Sequence, residues 1–168
     1  MRHILSILLQ NESGALARVA SMFASRGFNI ESLSVAPTTN EAVSRLTLVV
    51  MGDEAMIAQV SKQLGKLIDV VAIADRTAVD HIARELAIIK LRIPAHAIDS
   101  VTRLTSRYGV EVLDGSPEHY TLQLTGEGRD VDDFLVALPE EVRVLTIARS
   151  GPVVVARGME SLEDLAGA

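Results

Sequence analysis

The sequence predicts an α+β fold of two tandem βαββαβ units, each an antiparallel sheet with both helices on one face. Three observations lead there. Short β-branched and leucine-rich runs alternate with amphipathic helical stripes, and the order strand, helix, strand, strand, helix, strand occurs twice. The glycines that follow the first helix of each unit, Gly27 and Gly109, stand 82 residues apart. That order is the ferredoxin-like split motif.

In the first unit, Ile4 to Leu9 is an apolar run too short for a stable helix and reads as a buried central strand. Leu16, Val19, Ala20 and Phe23 then give the i, i+3, i+4, i+7 stripe of a helix running to Arg26, with Ser13 as its N-cap and Gly27 in the left-handed C′ position. Phe28 to Ala36 reads as a strand, closed by the turn residues Pro37 to Asn40. Leu46, Leu48 and Val50 alternate with Arg45, Thr47 and Val49, which predicts a strand with one covered face. Asp53 caps a second helix striped by Ile57, Val60, Leu64 and Leu67, and Asp69 to Ala74 supplies the fourth strand.

Arg76 to Arg84 is polar without a strong period, so the expected division is 1–76, a linker at 77–84, and 85–168. The second unit repeats the pattern. A strand at Leu86 to Ile93 precedes a helix striped by Ile98, Val101, Leu104 and Tyr108. Val110 to Leu113 and His119 to Leu124 flank a turn at Asp114 to Pro117, Val131 to Leu138 forms a helix stopped by Pro139, and Val142 to Ala148 is the last strand.

Composition narrows the function. A 168-residue chain with 48% hydrophobic residues can build a core, and with 3% aromatics that core is aliphatic. Asp and Glu (22) outnumber Lys and Arg (16), the wrong balance for neutralising nucleic-acid phosphates. Zero cysteines exclude disulfides, thiolate nucleophiles and cysteine metal sites, and fit a cytoplasmic protein. The charged start and apolar run at residues 1–9 stop too soon for a secretion signal, and no stretch reaches the roughly 20 apolar residues of a membrane-spanning helix. His3, His81, His96 and His119 lack metal-ligand spacing and read as surface residues, and no nucleophile-base constellation is present. Arg76, Arg84, Arg92 and Arg103 are scattered and read as solvated cations, although they could meet an acidic partner.

The stretch from Leu8 to Asn29 suits a small zwitterion. A strand ends in the polar turn Gln10-Asn11-Glu12-Ser13-Gly14, where a helix begins and its first N–H groups lack partners. Gly14 lets a ligand approach the backbone, and Asn11 and Asn29 can offer amide oxygens to an ammonium group. Moving by 82 residues puts Ile93 opposite Asn11, His96 opposite Gly14 and Glu111 opposite Asn29, so the second unit keeps the frame without the cradle.

Asn11-Glu12-Ser13-Gly14-Ala15-Leu16, Arg26-Gly27-Phe28-Asn29-Ile30-Glu31-Ser32-Leu33 and Ala36-Pro37-Thr38 resemble the small regulatory subunits of acetolactate synthase. So do Leu67 to Val70, Tyr120 to Gly126 and Ala148 to Gly151. The resemblance implies an N-terminal ACT domain, a C-terminal ACT-like domain, and a homodimer whose ACT sheets join. It implies an effector site between two chains, formed by Asn11, Gly14, Ala15 and Leu16 of one and by Asn29 and Ile30 of the other. The expected effector is a branched-chain amino acid, L-valine above all. The expected partner is the large catalytic subunit carrying thiamine diphosphate, Mg and FAD, with no cofactor on this chain. The alternative is an ACT-type amino-acid sensor acting on a different enzyme; a small enzyme on this scaffold lacks the residues for catalysis.

Overall fold

A computed structural model describes residues 1–167. The first βαββαβ unit comprises β1 (Arg2–Gln10), α1 (Ala15–Ala24), β2 (Ile30–Pro37), β3 (Val43–Met51), α2 (Glu54–Leu64) and β4 (Val70–Asp75). The second comprises β5 (His81–Arg92), a 3-10 turn at Ala95–Ala97, α3 (Ile98–Tyr108), β6 (Glu111–Ser116), β7 (His119–Gly126), α4 (Gly128–Ala137) and β8 (Arg143–Arg149). After β8 come β9 (Val153–Ala156) and a 3-10 helix at Glu163–Gly167. The first sheet is ordered β2-β3-β1-β4 and the second β6-β7-β5-β8, with β9 pairing β5. The double ferredoxin-like fold is the expected one.

Each sheet uses one face to form a core. In the first, Leu5, Ile7 and Leu9 of β1 pack with Leu46, Leu48 and Val50 of β3 against Val19, Met22 and Phe23 of α1 and Ile57, Val60 and Leu64 of α2. In the second, Ala87, Ile89 and Leu91 of β5 pack with Leu122 and Leu124 of β7 against Val101 of α3 and Val131 and Phe134 of α4. Two caps are local and sequence-encoded: Asp53 accepts a 2.7 Å hydrogen bond from the Met56 N–H, and Glu127 and Asp130 form a reciprocal capping box on α4.

Contacts group Met1–Ile82 with the chain from Val153 onward, and Ala83–Pro152 by itself. The expected division placed residues 153–168 in the second domain. Here β9 pairs with β5, and the strap that follows it to Gly167 lies on the back of the first sheet instead. Leu162 is buried against Leu8 and Ala72, Arg76 is buried and ion-paired to Glu160, and Arg45 donates to both carboxylate oxygens of Glu163 and to the Val154 carbonyl. β3 is covered on both faces, with Thr47 and Val49 buried like Leu46 and Leu48, where alternation predicts one covered face; the strap reaches this side of β3 at Arg45. Two side chains read as lying at the surface are buried. Arg76 is enclosed, and His3 is buried with its ring nitrogens at the Gly52 carbonyl and the Thr77 hydroxyl.

Other differences are local. The cap of α1 is Gly14 rather than Ser13, and the helix stops at Ala24, before Gly27 takes its left-handed turn (φ 69°). The hairpin between β6 and β7 turns at Pro117-Glu118, because β6 continues through Asp114 and Gly115 past an irregularity between Val112 and Asp114. β5 begins at His81, inside the expected linker. Among the described residues no helix is long and apolar enough to cross a membrane, and no metal-ligand cluster is present.

Candidate functional site

The C-terminal end of β1, the first turn of α1 and the end of β2 converge on an open cleft of about 230 Å³. Its register is set by two ladders: Pro37 of β2 pairs with Ser44 of β3, and Ser44 pairs with Leu9 of β1. The cleft is therefore lined by Leu9 and Gln10, then Asn11 and Glu12, then Ala15 and Leu16, with Val35, Ala36, Pro37 and Ser44 opposite. Leu16 and Val35, 37% and 40% exposed, give it two apolar walls.

The polar groups in and beside this cleft match a zwitterion. Asn11 is held by both its backbone, whose N–H donates to the Ala42 carbonyl, and its side chain, whose Nδ2 donates to the Glu41 carbonyl at 2.9 Å. Those bonds leave Oδ1 as the side chain's remaining acceptor. At the start of α1 no side chain caps the helix, the Ala15 N–H donates to the Glu12 carbonyl, and the Arg18 N–H closes the first intrahelical bond to Gly14. The Leu16 and Ala17 N–H groups are thus the first-turn donors left for an anion, with the positive end of the helix dipole behind them.

Gly14 has a backbone role. Its φ of 86° is left-handed, and a Cβ there would stand 2.9 Å from the Arg18 guanidinium. Arg18 in turn holds Asp69 through two hydrogen bonds, 2.5 Å from Nε and 2.7 Å from Nη2. Those bonds hold the carboxyl of Asp69 below the usual carboxylate range and raise the Arg18 guanidinium. The Asp69 carbonyl also accepts from the Gln10 N–H, so the pair ties β4 and α1 to the end of β1.

The six residues expected at the site fall into two places. Asn11, Ala15 and Leu16 line the cleft, with Gly14 beneath it as the turn that starts α1. Asn29 and Ile30 do not join them. Ile30 pairs with Val50, seven residues along β2 from Pro37, which is about 23 Å for an extended chain. Sequence reasoning missed Val35, Ala36 and Pro37 as wall residues, although counting back along the hairpin from the turn at Thr38 brings them opposite the end of β1. It also missed the Arg18–Asp69 pair, which joins residues 51 positions apart and has no local signature.

Residues 5–72 match the ACT domain of the acetohydroxyacid synthase small-subunit type, and residues 84–158 match the small subunit of acetolactate synthase. The acetolactate synthase small subunit of Haemophilus influenzae is 44% identical over 162 residues, covering 96% of this chain and 99% of the relative. The chain belongs to the acetolactate synthase small-subunit family. Within that family, the isozyme 3 small subunit of Escherichia coli is 42% identical across 94% of this chain and 97% of its own length. The crystal structure of the small subunit from Thermotoga maritima superposes with a TM-score of 0.85 at 33% identity, covering 95% of this chain and 99% of that one. Family membership thus spans both units and the segment around the cleft.

Proposed function

We propose that this chain is the regulatory subunit of an acetolactate synthase in branched-chain amino-acid biosynthesis. It raises the activity of a catalytic subunit that carries thiamine diphosphate, Mg and FAD, and it makes that enzyme sensitive to feedback inhibition by L-valine. The cleft at the start of α1 carries this reading, because it offers an anion donor pair, an amide acceptor and apolar walls at amino-acid scale. The valine carboxylate meets the Leu16 and Ala17 N–H groups, its ammonium meets Asn11 Oδ1, and its isopropyl group lies between Leu16 and Val35.

The same reading accounts for Asn29 and Ile30 at the far end of β2. β2 is the edge strand of the first sheet, and an edge can pair with a second copy. Antiparallel pairing of two β2 strands about Leu33 sets the partner's Ile30 beside Ala36, and so delivers Asn29 and Ile30 of the second chain to the cleft of the first. The effector then bridges two protomers. Inhibition follows to the extent that valine binds one holoenzyme conformation better than the other, typically about 1–3 kcal/mol of coupling.

The test is reconstitution with the cognate catalytic subunit, following pyruvate condensation against added valine. Asn11→Ala and Asn29→His are each expected to keep activation while raising the valine needed for half-inhibition about 10- to 150-fold, the range for losing a hydrogen bond to a charged group. Unchanged valine sensitivity in both variants would remove the site from this cleft. Failure of the wild-type chain to activate any acetolactate synthase catalytic subunit would favour a sensor of another enzyme.

A further inference from the structure

The cleft and the C-terminal strap lie on opposite faces of the same strand ends. Successive residues of a strand point to opposite faces of its sheet. Ser44 of β3 and Leu9 of β1 pair with each other and line the cleft on the helix side. Their neighbours Arg45 and Leu8 pair with each other behind them, in a row that runs Ala36, Arg45, Leu8, Ala72 from β2 to β4. The strap and the end of β9 hold Arg45, Leu8 and Ala72. Arg45 donates from Nη2 to both carboxylate oxygens of Glu163 at 3.0 Å and from Nη1 to the Val154 carbonyl at 3.3 Å. Leu162 is buried against Leu8 and Ala72.

The grip is small and reversible. It consists of one buried leucine and of two ion pairs whose acidic members, Glu160 and Glu163, are half exposed. Release of the strap returns all four charged groups to water, which offsets the ion pairs it breaks. Segments held by so few contacts open locally while the rest of a fold stays intact. The grip is also placed where the two units join in sequence. Val154 stands two residues after Pro152, the last residue of the second unit, so Arg45 holds the chain as it returns from that unit.

We propose that the strap is the element through which occupancy of the cleft reaches the chain that joins the two units: an amino acid binds best when the strap is docked, and its binding holds the strap down. The proposal rests on the reading of the cleft as an amino-acid site. A docked strap braces β1, β3 and β4 from behind and so steadies the pairing of Leu9 with Ser44 that the cleft is built on. A released strap leaves Arg45 and Leu8 without that brace, and the strand ends in front of them loosen. Because coupling is reciprocal, the factor by which release weakens the effector equals the factor by which the effector resists release.

The experiment measures both sides of that coupling on the full-length chain, with L-valine as the probe. Hydrogen exchange followed by mass spectrometry reads the strap, where the Asp164 N–H donates to the Ser161 hydroxyl and the Leu165 N–H to the Leu162 carbonyl. Saturating L-valine is expected to slow exchange of this segment at least about fivefold. Leu162→Asp/Glu163→Arg sets a charge against Leu8 and Ala72 and a like charge against Arg45, and so releases the strap. Calorimetry is expected to show that this variant binds L-valine more weakly by the same factor, while Lys62→Gln on α2 binds it as the wild type does. If the strap variant does not fold, the exchange measurement decides, since it needs no substitution. Strap exchange that L-valine leaves unchanged, or a folded strap variant that binds L-valine as tightly as the wild type, overturns the coupling and leaves the cleft reading standing. A wild type that binds no L-valine overturns the cleft reading and the coupling together.

Discussion

Asp69 is almost fully buried, and its carboxylate meets the Arg18 guanidinium in a two-bond fork. Arg18 holds the Asp69 carboxyl below its ordinary range, so this group contributes stability that is present above the unfolded carboxylate value. That stability is lost as pH falls through the lower folded value. The thermal midpoint is thus expected to drop on acidification below about pH 4. Asp69→Asn should lower the midpoint at neutral pH and flatten that acid limb, which a melt series across pH would record. A neighbouring pair of substitutions separates fold from ligand. Gly14→Ala forces a side chain into the left-handed region and against Arg18, a cost of about 1–2 kcal/mol by denaturant titration. Asn11→Ala removes an exposed side-chain bond to Glu41 and should change stability by less, while removing the proposed ammonium acceptor. Asn11 and Gly14 were legible because a turn glycine before a helix is a local pattern. Arg18 and Asp69 were not, because the chemistry of their pair exists only once β4 returns beside α1.

Elements were legible where a period ran through them. The α1 and α2 stripes and the strand from Leu86 appear where expected, because burial on one face imposes 3.6- and 2-residue periods on the sequence. The C-terminal strap has no period. It holds the back of the first sheet through Leu162, Glu160 and Glu163, separated by polar residues that look like an acidic tail. Val49 and Thr47 alternate with the core residues of β3 as an open face would, yet both are buried. Leu162 is only 1% exposed, and Leu162→Ala should destabilise the first unit by about 2 kcal/mol. That is the lower end of the range for a buried leucine, because a short strap can shift to close the gap. Deleting residues 158–168 removes both carboxylate partners as well and should cost more than the point substitution. Denaturant midpoints of the three proteins, with equal slopes, check the order.

At the scale of the whole molecule, one frame was used twice, and the turn after the first strand of each copy borders a cleft, but the two are lined by different chemistry. The backbone roles persist: the Asn11 N–H donates to the Ala42 carbonyl, and 82 residues later the Ile93 N–H donates to the Glu118 carbonyl. The side chains differ in what they can do. Ile93 is buried in the second core, Pro94 leads into a 3-10 turn in place of the free first turn of α1, and Glu111 takes the position of Asn29. A carboxylate at Glu111 repels the carboxylate of an amino acid, and Ile93 has no acceptor for its ammonium. The duplicated fold should therefore bind one amino acid per chain, although it offers two topologically equivalent turns. Titration calorimetry with L-valine is expected to give one site per protomer, and Asn11→Ala should weaken the whole isotherm about 10- to 150-fold rather than half of it. Valine at about 100 times its dissociation constant should stabilise the wild type by roughly 2.7 kcal/mol. A stoichiometry of two, or a stabilisation that Asn11→Ala leaves unchanged, would mean that the second unit holds a site its side chains do not reveal.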